Sequence, residues 1–308
     1  MSNIVILFSG QGAQKVGMAK DWIESSAAAR DLAHQADLAL GHSLTDIMFD
    51  GPEEELTKTS RCQPALYLHG IIALALVRER MPHLTPVAAA GLSLGEFTAH
   101  AAAGTFSFQD GLKLVARRGE FMEQACLATR GAMAALIGGD EEKVADLAAA
   151  AGVDVANFNA PGQIVLSGAA DAIDSAIAQA KDFGIRKAIK LNVAGAYHSR
   201  LMKSAQDQLA AELATVAIRP PSIPVVANFT ADTVSDPAHI RETLEQQVTG
   251  SVRWIESIRK LVADGHRTFL ELGPGKVLAG LVGKIDKDTT VHSIEDIASL
   301  DAATEILS

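Results

Sequence analysis

The residues best placed for chemistry begin with Ser93, inside the pentapeptide Gly91-Leu92-Ser93-Leu94-Gly95. A serine between two glycines, at a tight turn from strand into helix, is lifted off the sheet. It then sits beside free helix N–H groups that stabilise an oxyanion. Taken singly, the pentapeptide fits equally well a glycine-rich strand–helix turn with an incidental serine. A serine nucleophile needs a base, and the chain has nine histidines. His198 has the most suggestive setting. The small-residue turn Val193-Ala-Gly-Ala-Tyr197 precedes it, and Ser199-Arg200-Leu-Met202 opens a helix after it. His100 lies two helical turns beyond Ser93, roughly 10 Å along the axis, too far to take the serine proton. The pair Arg117-Arg118 is the third feature. Paired arginines usually form a solvated face, whereas a buried guanidinium binds a carboxylate bidentately. Composition and spacing do not choose between the two.

The surrounding pattern supplies elements to hold these groups. Ile4 to Phe8 reads as a buried strand closed by Ser9-Gly10-Gln11-Gly12. Residues 17–40 are helical in pattern, and 51–61 form an acidic, polar turn region. Gln63 to Arg80 forms an apolar helix with Pro64 at its start. Val87 to Gly91 is a short strand running into Ser93, with a helix over 96–103 and another over 110–128, capped by Asp110 or Ser107. Residues 132–191 then read strand, helix, strand, strand, helix, strand, the split βαβ, ferredoxin-like unit. Strands resume at Val225–Phe229 and Arg267–Leu270. The pattern predicts an α/β fold with a small ferredoxin-like (βαββαβ) domain, residues 129–196, inserted between 1–128 and 197–308.

Bulk properties narrow the function classes. Apolar residues make up 48% of the 308, charged residues 21%, and the net charge is −10. An acidic chain without an Arg-rich tract argues against nucleic-acid binding. Cys62 and Cys126 lie in no CxxC or Cys/His pattern, which argues against a disulfide framework or zinc site. The first nine residues show no basic leader, and no apolar run approaches the roughly 18 residues of a membrane span. The expectation is a cytoplasmic protein that meets no membrane.

The chemistry-bearing stretches, with several others, match a known family in order and along nearly the whole chain. They are Phe8-Ser-Gly-Gln-Gly-Ala-Gln14, Gln63-Pro-Ala65, Gly91-Leu-Ser-Leu-Gly-Glu96, Arg118-Gly-Glu-Phe-Met122 and Asn157-Phe-Asn-Ala-Pro-Gly-Gln163. Gly195-Ala-Tyr-His-Ser199, Ser251-Val-Arg-Trp254 and Glu271-Leu-Gly-Pro-Gly275 complete the series. The sequence resembles the malonyl-CoA:acyl carrier protein transacylases, the acyltransferase family of fatty acid and polyketide synthesis.

The resemblance implies an α/β-hydrolase-like core with a parallel sheet, and a set of roles. Ser93 attacks the thioester of malonyl-CoA with His198 as base, and the backbone N–H groups of Gln11 and Leu94 form the oxyanion hole. Arg118 pairs with the malonyl carboxylate, the main-chain carbonyl of Arg253 orients His198, and Tyr197 and Met122 line the acyl pocket. The malonyl ester then passes to the phosphopantetheine thiol of holo acyl carrier protein in a ping-pong reaction that supplies fatty acid biosynthesis. No metal or other cofactor is implied, and the family favours a monomer. Two positions depart from the family: Leu92 stands where many members have His, and Tyr197 where malonyl-selective members usually have Phe. The alternatives are a serine hydrolase, with Asp110, Asp154 or Asp171 as the triad acid, and a non-catalytic module that binds the carrier. An acidic carrier also predicts a local basic patch from Arg186, Lys187, Lys190, Lys276 and Lys284.

Overall fold

Two β-sheets position the site in this computed structural model, which describes residues 3–307. In chain order the strands are β1 Asn3–Phe8, β2 Thr85–Gly91, β3 Gly131–Ile137, β4 Asp154–Ala160, β5 Gln163–Ala169, β6 Lys187–Lys190, β7 Val225–Val226, β8 Thr233–Val234, β9 Thr268–Leu272 and β10 Thr290–Ile294. The larger sheet has the order β10-β9-β1-β2-β7-β8. Its first five strands run parallel, and β8 pairs antiparallel with β7 at the edge. Strand β1 is buried along Ile4 to Phe8, as a central parallel strand covered on both faces must be. Its alternation splits the core in two. Ile4, Ile6 and Phe8 pack toward the helices Thr59–Arg80, Leu94–Ala102 and Phe108–Ala128. Val5 and Leu7 pack toward Trp254–Ala263 and Val277–Ile285.

The smaller sheet is antiparallel, with the order β4-β5-β3-β6. With the helices Glu141–Ala151 and Ala170–Gln179 this is the expected βαββαβ unit. Ala132, Ala134 and Leu136 of β3 face those helices and pack on Val144, Leu147 and Ile173. The opposite face carries Met133 and Val165, which join the main core and line the cavity described below. The small sheet is tied to the loop before the helix Trp254–Ala263, where Phe158 N donates to Val252 O at 2.9 Å and Val252 N donates to Ala156 O at 2.8 Å.

Several boundaries differ from the sequence expectation. The helical stretch 17–40 is two helices, Lys20–Ser25 and Ala27–Leu40, because the Ser26 side chain caps the second by accepting from Ala29 N. The polar stretch 51–61 holds a short helix, Glu53–Thr57, and the apolar helix starts at Thr59, so Pro64 lies inside it rather than at its start. Ser107, not Asp110, caps the helix Phe108–Ala128. The strand expected over 225–229 stops at Val226, because Asn228 turns into the site instead of continuing the ladder. Among the described residues no helix is long and apolar enough to cross a membrane.

Candidate active site

Strand β2 ends at Gly91 and the helix begins at Leu94, leaving Ser93 at the elbow with φ 55° and ψ −105°. That conformation is strained for a residue with a side chain. Packing enforces it: a Cβ on Gly91 would lie 2.0 Å from the Gly95 carbonyl carbon, and one on Gly95 would lie 2.1 Å from the Phe8 oxygen. Ser93 Oγ is 2.8 Å from His198 Nε2. His198 is buried, also has φ 55°, and its Nδ1 donates to the main-chain oxygen of Gln247 at 2.8 Å. Because a carbonyl only accepts, Nδ1 carries the proton and Nε2 presents a lone pair to the serine hydroxyl. Burial, with Arg118 beside it, pushes the imidazole pKa down to about 4, so near pH 7 it is neutral with a free lone pair.

The carbonyl that orients His198 therefore belongs to Gln247 and not to Arg253. Arg253 caps the helix Trp254–Ala263, and its oxygen accepts from Ser257 N at 2.9 Å and Ser257 Oγ at 2.8 Å. A capping carbonyl points along its own helix and is unavailable to the histidine. Among the described residues, no aspartate completes a Ser-His-Asp triad either. Asp154 pairs with Arg200, and Asp110 accepts from Ser107 at the helix start.

The structure separates the two arginines. Arg117 is half-exposed and pairs with Glu120 and Glu212. Arg118 is buried at 1% exposure, with its guanidinium 5.2 Å from the centre of the Phe97 ring. Its Nη1 donates to Gln63 Oε1 at 2.6 Å. Nη2 donates to Gln247 Oε1 at 2.8 Å and to Ser93 Oγ at 3.1 Å. Burial lowers its pKa to about 10, which leaves it charged.

Three neighbours of Ser93 had no role in the sequence reading. Asn228 bridges the elbow: its Oδ1 accepts from Ser93 N at 2.7 Å and its Nδ2 donates to Gly91 O at 2.8 Å. Glu96 Oε2 accepts from Asn228 N at 2.9 Å and from Gln247 Nε2 at 2.6 Å. Gln247 Nε2 also donates to Ser93 O at 3.0 Å. Glu96 stood in a matched motif without an assigned task. Nothing in the spacing marked Gln247, one residue beyond the helix Pro237–Gln246.

These groups open on a cavity of about 460 Å³ whose lining includes Gln11, Ser93, Leu94, Arg118, Met122, Tyr197 and His198. Among the described residues, the Gln11 and Leu94 backbone N–H groups have no protein acceptor. Tyr197 Oη lies 2.5 Å from Thr59 Oγ1, which also accepts from Gln11 Nε2 at 3.3 Å. Met122 Sδ accepts from Gln63 Nε2 at 3.5 Å. His100 stays out of the site, buried, with Nδ1 3.0 Å from Thr105 Oγ1. Cys62 and Cys126 are buried free thiols, pushed by burial to about 12 and about 11, so neither is a ready nucleophile.

A buried cation thus lies beside a serine that is hydrogen-bonded to a histidine. Residues 5–303 match the acyl transferase domain family. The chain belongs to that family. It is 43% identical over 312 residues to the malonyl CoA-acyl carrier protein transacylase of Bacillus subtilis, covering 100% of this chain and 98% of the relative. It superposes with a TM-score of 0.94 on the acyl carrier protein S-malonyltransferase of Vibrio cholerae, at 39% identity, covering 98% and 100% of the two chains. A malonyl-transacylase solved in complex with its type II PKS acyl-carrier protein gives a TM-score of 0.95 at 34% identity, covering 99% and 100%. Like these acyl transferases, the chain has a two-sheet α/β fold.

Proposed function

We propose that this acyltransferase moves a malonyl group from malonyl-CoA to the phosphopantetheine thiol of holo acyl carrier protein through an ester on Ser93. His198 Nε2 takes the hydroxyl proton as Ser93 Oγ attacks the thioester carbonyl. The oxyanion settles against the N–H groups of Gln11 and Leu94, a contribution of about 3 kcal/mol per donor in related chemistry. Collapse breaks the C–S bond, and the departing CoA sulfur receives the proton from His198. The carrier thiol then repeats the sequence in reverse, giving its proton to His198 and releasing Ser93. The product supplies extender units for fatty acid biosynthesis. Residues 129–196 act as a small domain on the core of 1–128 and 197–308, and close the cavity with Met133, Val165 and Asn157.

The observation that carries this reading is Arg118, a buried cation 3.1 Å from the nucleophile that donates to Gln63 and Gln247 and, among the described residues, forms no ion pair with a carboxylate. An acyl group bearing its own carboxylate satisfies it, and an acetyl group leaves it unpaired. Arg118→Ala should therefore lower kcat/KM for malonyl-CoA by roughly 100-fold or more, the range for truncating a buried charge partner. The loss for acetyl-CoA should be much smaller, and equal losses for both acyl groups contradict the assignment.

The basic residues expected to face the carrier are partly engaged. Lys190 pairs with Asp174. Lys284 donates to Gln163 Oε1 at 2.8 Å, and Gln163 is in register with Ile137, which is in register with Lys187. Lys187 and Lys284 thus lie toward one end of the small sheet, which supports a docking face for an acidic carrier there.

A further inference from the structure

Behind the reacting groups lies a carboxylate with no part in the steps above. Glu96, in the first turn of the helix Leu94–Ala102, is fully buried. One of its oxygens, Oε2, accepts from Gln247 Nε2 and Asn228 N, and the other has no hydrogen-bond partner among the described residues. A buried, half-satisfied carboxylate is costly, so its presence beside an active site calls for a function.

Gln247 is the link from Glu96 to the chemistry. Its main-chain oxygen holds His198 Nδ1, its Oε1 accepts from Arg118, and its Nε2 donates to Ser93 O as well as to Glu96. A primary amide has one accepting and one donating end of nearly equal shape, so the neighbours decide which end points where. An ionised Glu96 admits only the N–H end, which turns Oε1 toward Arg118. Arg118, which only donates, and Ser93 O, which only accepts, ask for the same orientation. With a neutral group at position 96 the amide loses its anionic acceptor, and its grip on the place of Oε1 loosens.

We propose that Glu96 is a positioning residue: by anchoring the Gln247 amide with a charged acceptor, it holds Arg118, Ser93 and His198 in their working arrangement. The inference rests on the function proposed above. Asn228 extends the effect, because the same carboxylate oxygen holds its backbone N–H while its side chain bridges Ser93 N and Gly91 O.

The ionisation of Glu96 gives the proposal a pH signature. Burial raises its carboxyl to about 7, with Asn228 N, Gln247 and Arg118 pulling against that rise. The charged group facing it is Arg118, from the helix Phe108–Ala128, and His198 is reached through Gln247. His100, on its own helix, is neutral near pH 7, since burial lowers its pKa to about 3. As pH falls through about 7, Glu96 takes up a proton and its hold on the amide weakens.

The test is the rate of Ser93 malonylation by malonyl-CoA, read by rapid quench and intact mass on the full chain across about pH 5 to 9. Wild type should lose rate as pH falls through about 7, well above the limb set by His198 near 4. Glu96→Gln should be slower by roughly 10- to 100-fold near pH 8, the scale of a small misplacement of reacting groups, and should lack the upper limb. A variant within about twofold of wild type, or one slowed at every pH with the limb retained, overturns the proposal. Should the variant not fold, the wild-type profile decides, because the absence of a limb near 7 is equally fatal. A wild-type chain that acquires no malonyl group would remove the proposed function together with this inference. Acylation with an unchanged profile in Glu96→Gln would remove the inference alone.

Discussion

Tyr197 shows how a single hydroxyl separates two accounts of selectivity. The side chain lines the cavity beside Ser93, where the proposed malonyl group would lie. In the structure that hydroxyl is engaged by Thr59 Oγ1, on a helix that also steadies the Gln11 side chain. Tyr197→Phe should therefore leave the ratio of malonyl-CoA to methylmalonyl-CoA use within about threefold. It should cost about 1 kcal/mol of stability for the lost hydrogen bond. A tenfold change in that ratio, measured in parallel acylation assays, would place the hydroxyl in the substrate contact instead. Residue by residue, the site was unevenly legible in the sequence. Ser93 and His198 announced themselves through their glycine-rich and small-residue turns. Arg117 and Arg118, adjacent on one helix, point about 100° apart, and only the packing reveals which faces inward. Arg253 failed as the histidine anchor because the anchor is a main-chain carbonyl, and any residue type supplies one.

At the scale of elements, the strand–elbow–helix from Thr85 to Ala102 does the work of presenting the nucleophile. Its geometry depends on backbone passing backbone at Gly91 and Gly95, where no flexible side chain can yield. Gly95→Ala places a methyl 2.1 Å from the Phe8 carbonyl oxygen, so β1 or the elbow must move. The expected loss is about 3 kcal/mol or more, above the usual cost of overpacking. Thermal melts would show it as a clear drop in Tm, and an unchanged Tm would mean the elbow is looser than its packing indicates. This element was legible because tight turns demand particular residues, and the βαββαβ order was legible from its switching periodicity. The stretch after Val226 was not. Asn228 reads as one more strand residue, and its departure from the ladder is dictated by partners on Gly91, Ser93 and Glu96. Glu271 is similar: its carboxylate accepts from Leu278 N and Ala279 N and caps the helix Val277–Ile285, a long-range role that spacing does not reveal.

For the whole molecule, burial of titratable groups sets the pH range of stability. Three buried histidines have depressed pKa values: His69 and His198 at about 4, and His100 at about 3. In the unfolded chain they take up protons near 6.5, so between that value and about 4 the unfolded state binds more protons and stability falls as pH falls. Glu96 opposes this, since its carboxyl, raised to about 7 from 4.5, is protonated in the folded state before the unfolded one over the same window. Glu271, whose carboxyl burial also raises, acts in the same sense; the three histidines outweigh the two carboxyls, and Tm should fall steadily from about pH 6.5 to 4. A flat Tm across that window would contradict the buried, neutral state of these histidines. The same molecule-wide arrangement brings Ser93 and Arg118 from the large sheet's helices and Met133 and Val165 from the small sheet around one cavity.

Intact-mass analysis of the acyl-enzyme and carrier tests the central claim most directly. Mixed with malonyl-CoA, the chain should gain one malonyl group, located on Ser93 by peptide mapping and absent from Ser93→Ala. Addition of holo acyl carrier protein should remove that group and return it, intact, as malonyl-carrier. An adduct at another residue, or release of free malonate without malonyl-carrier, would contradict the account.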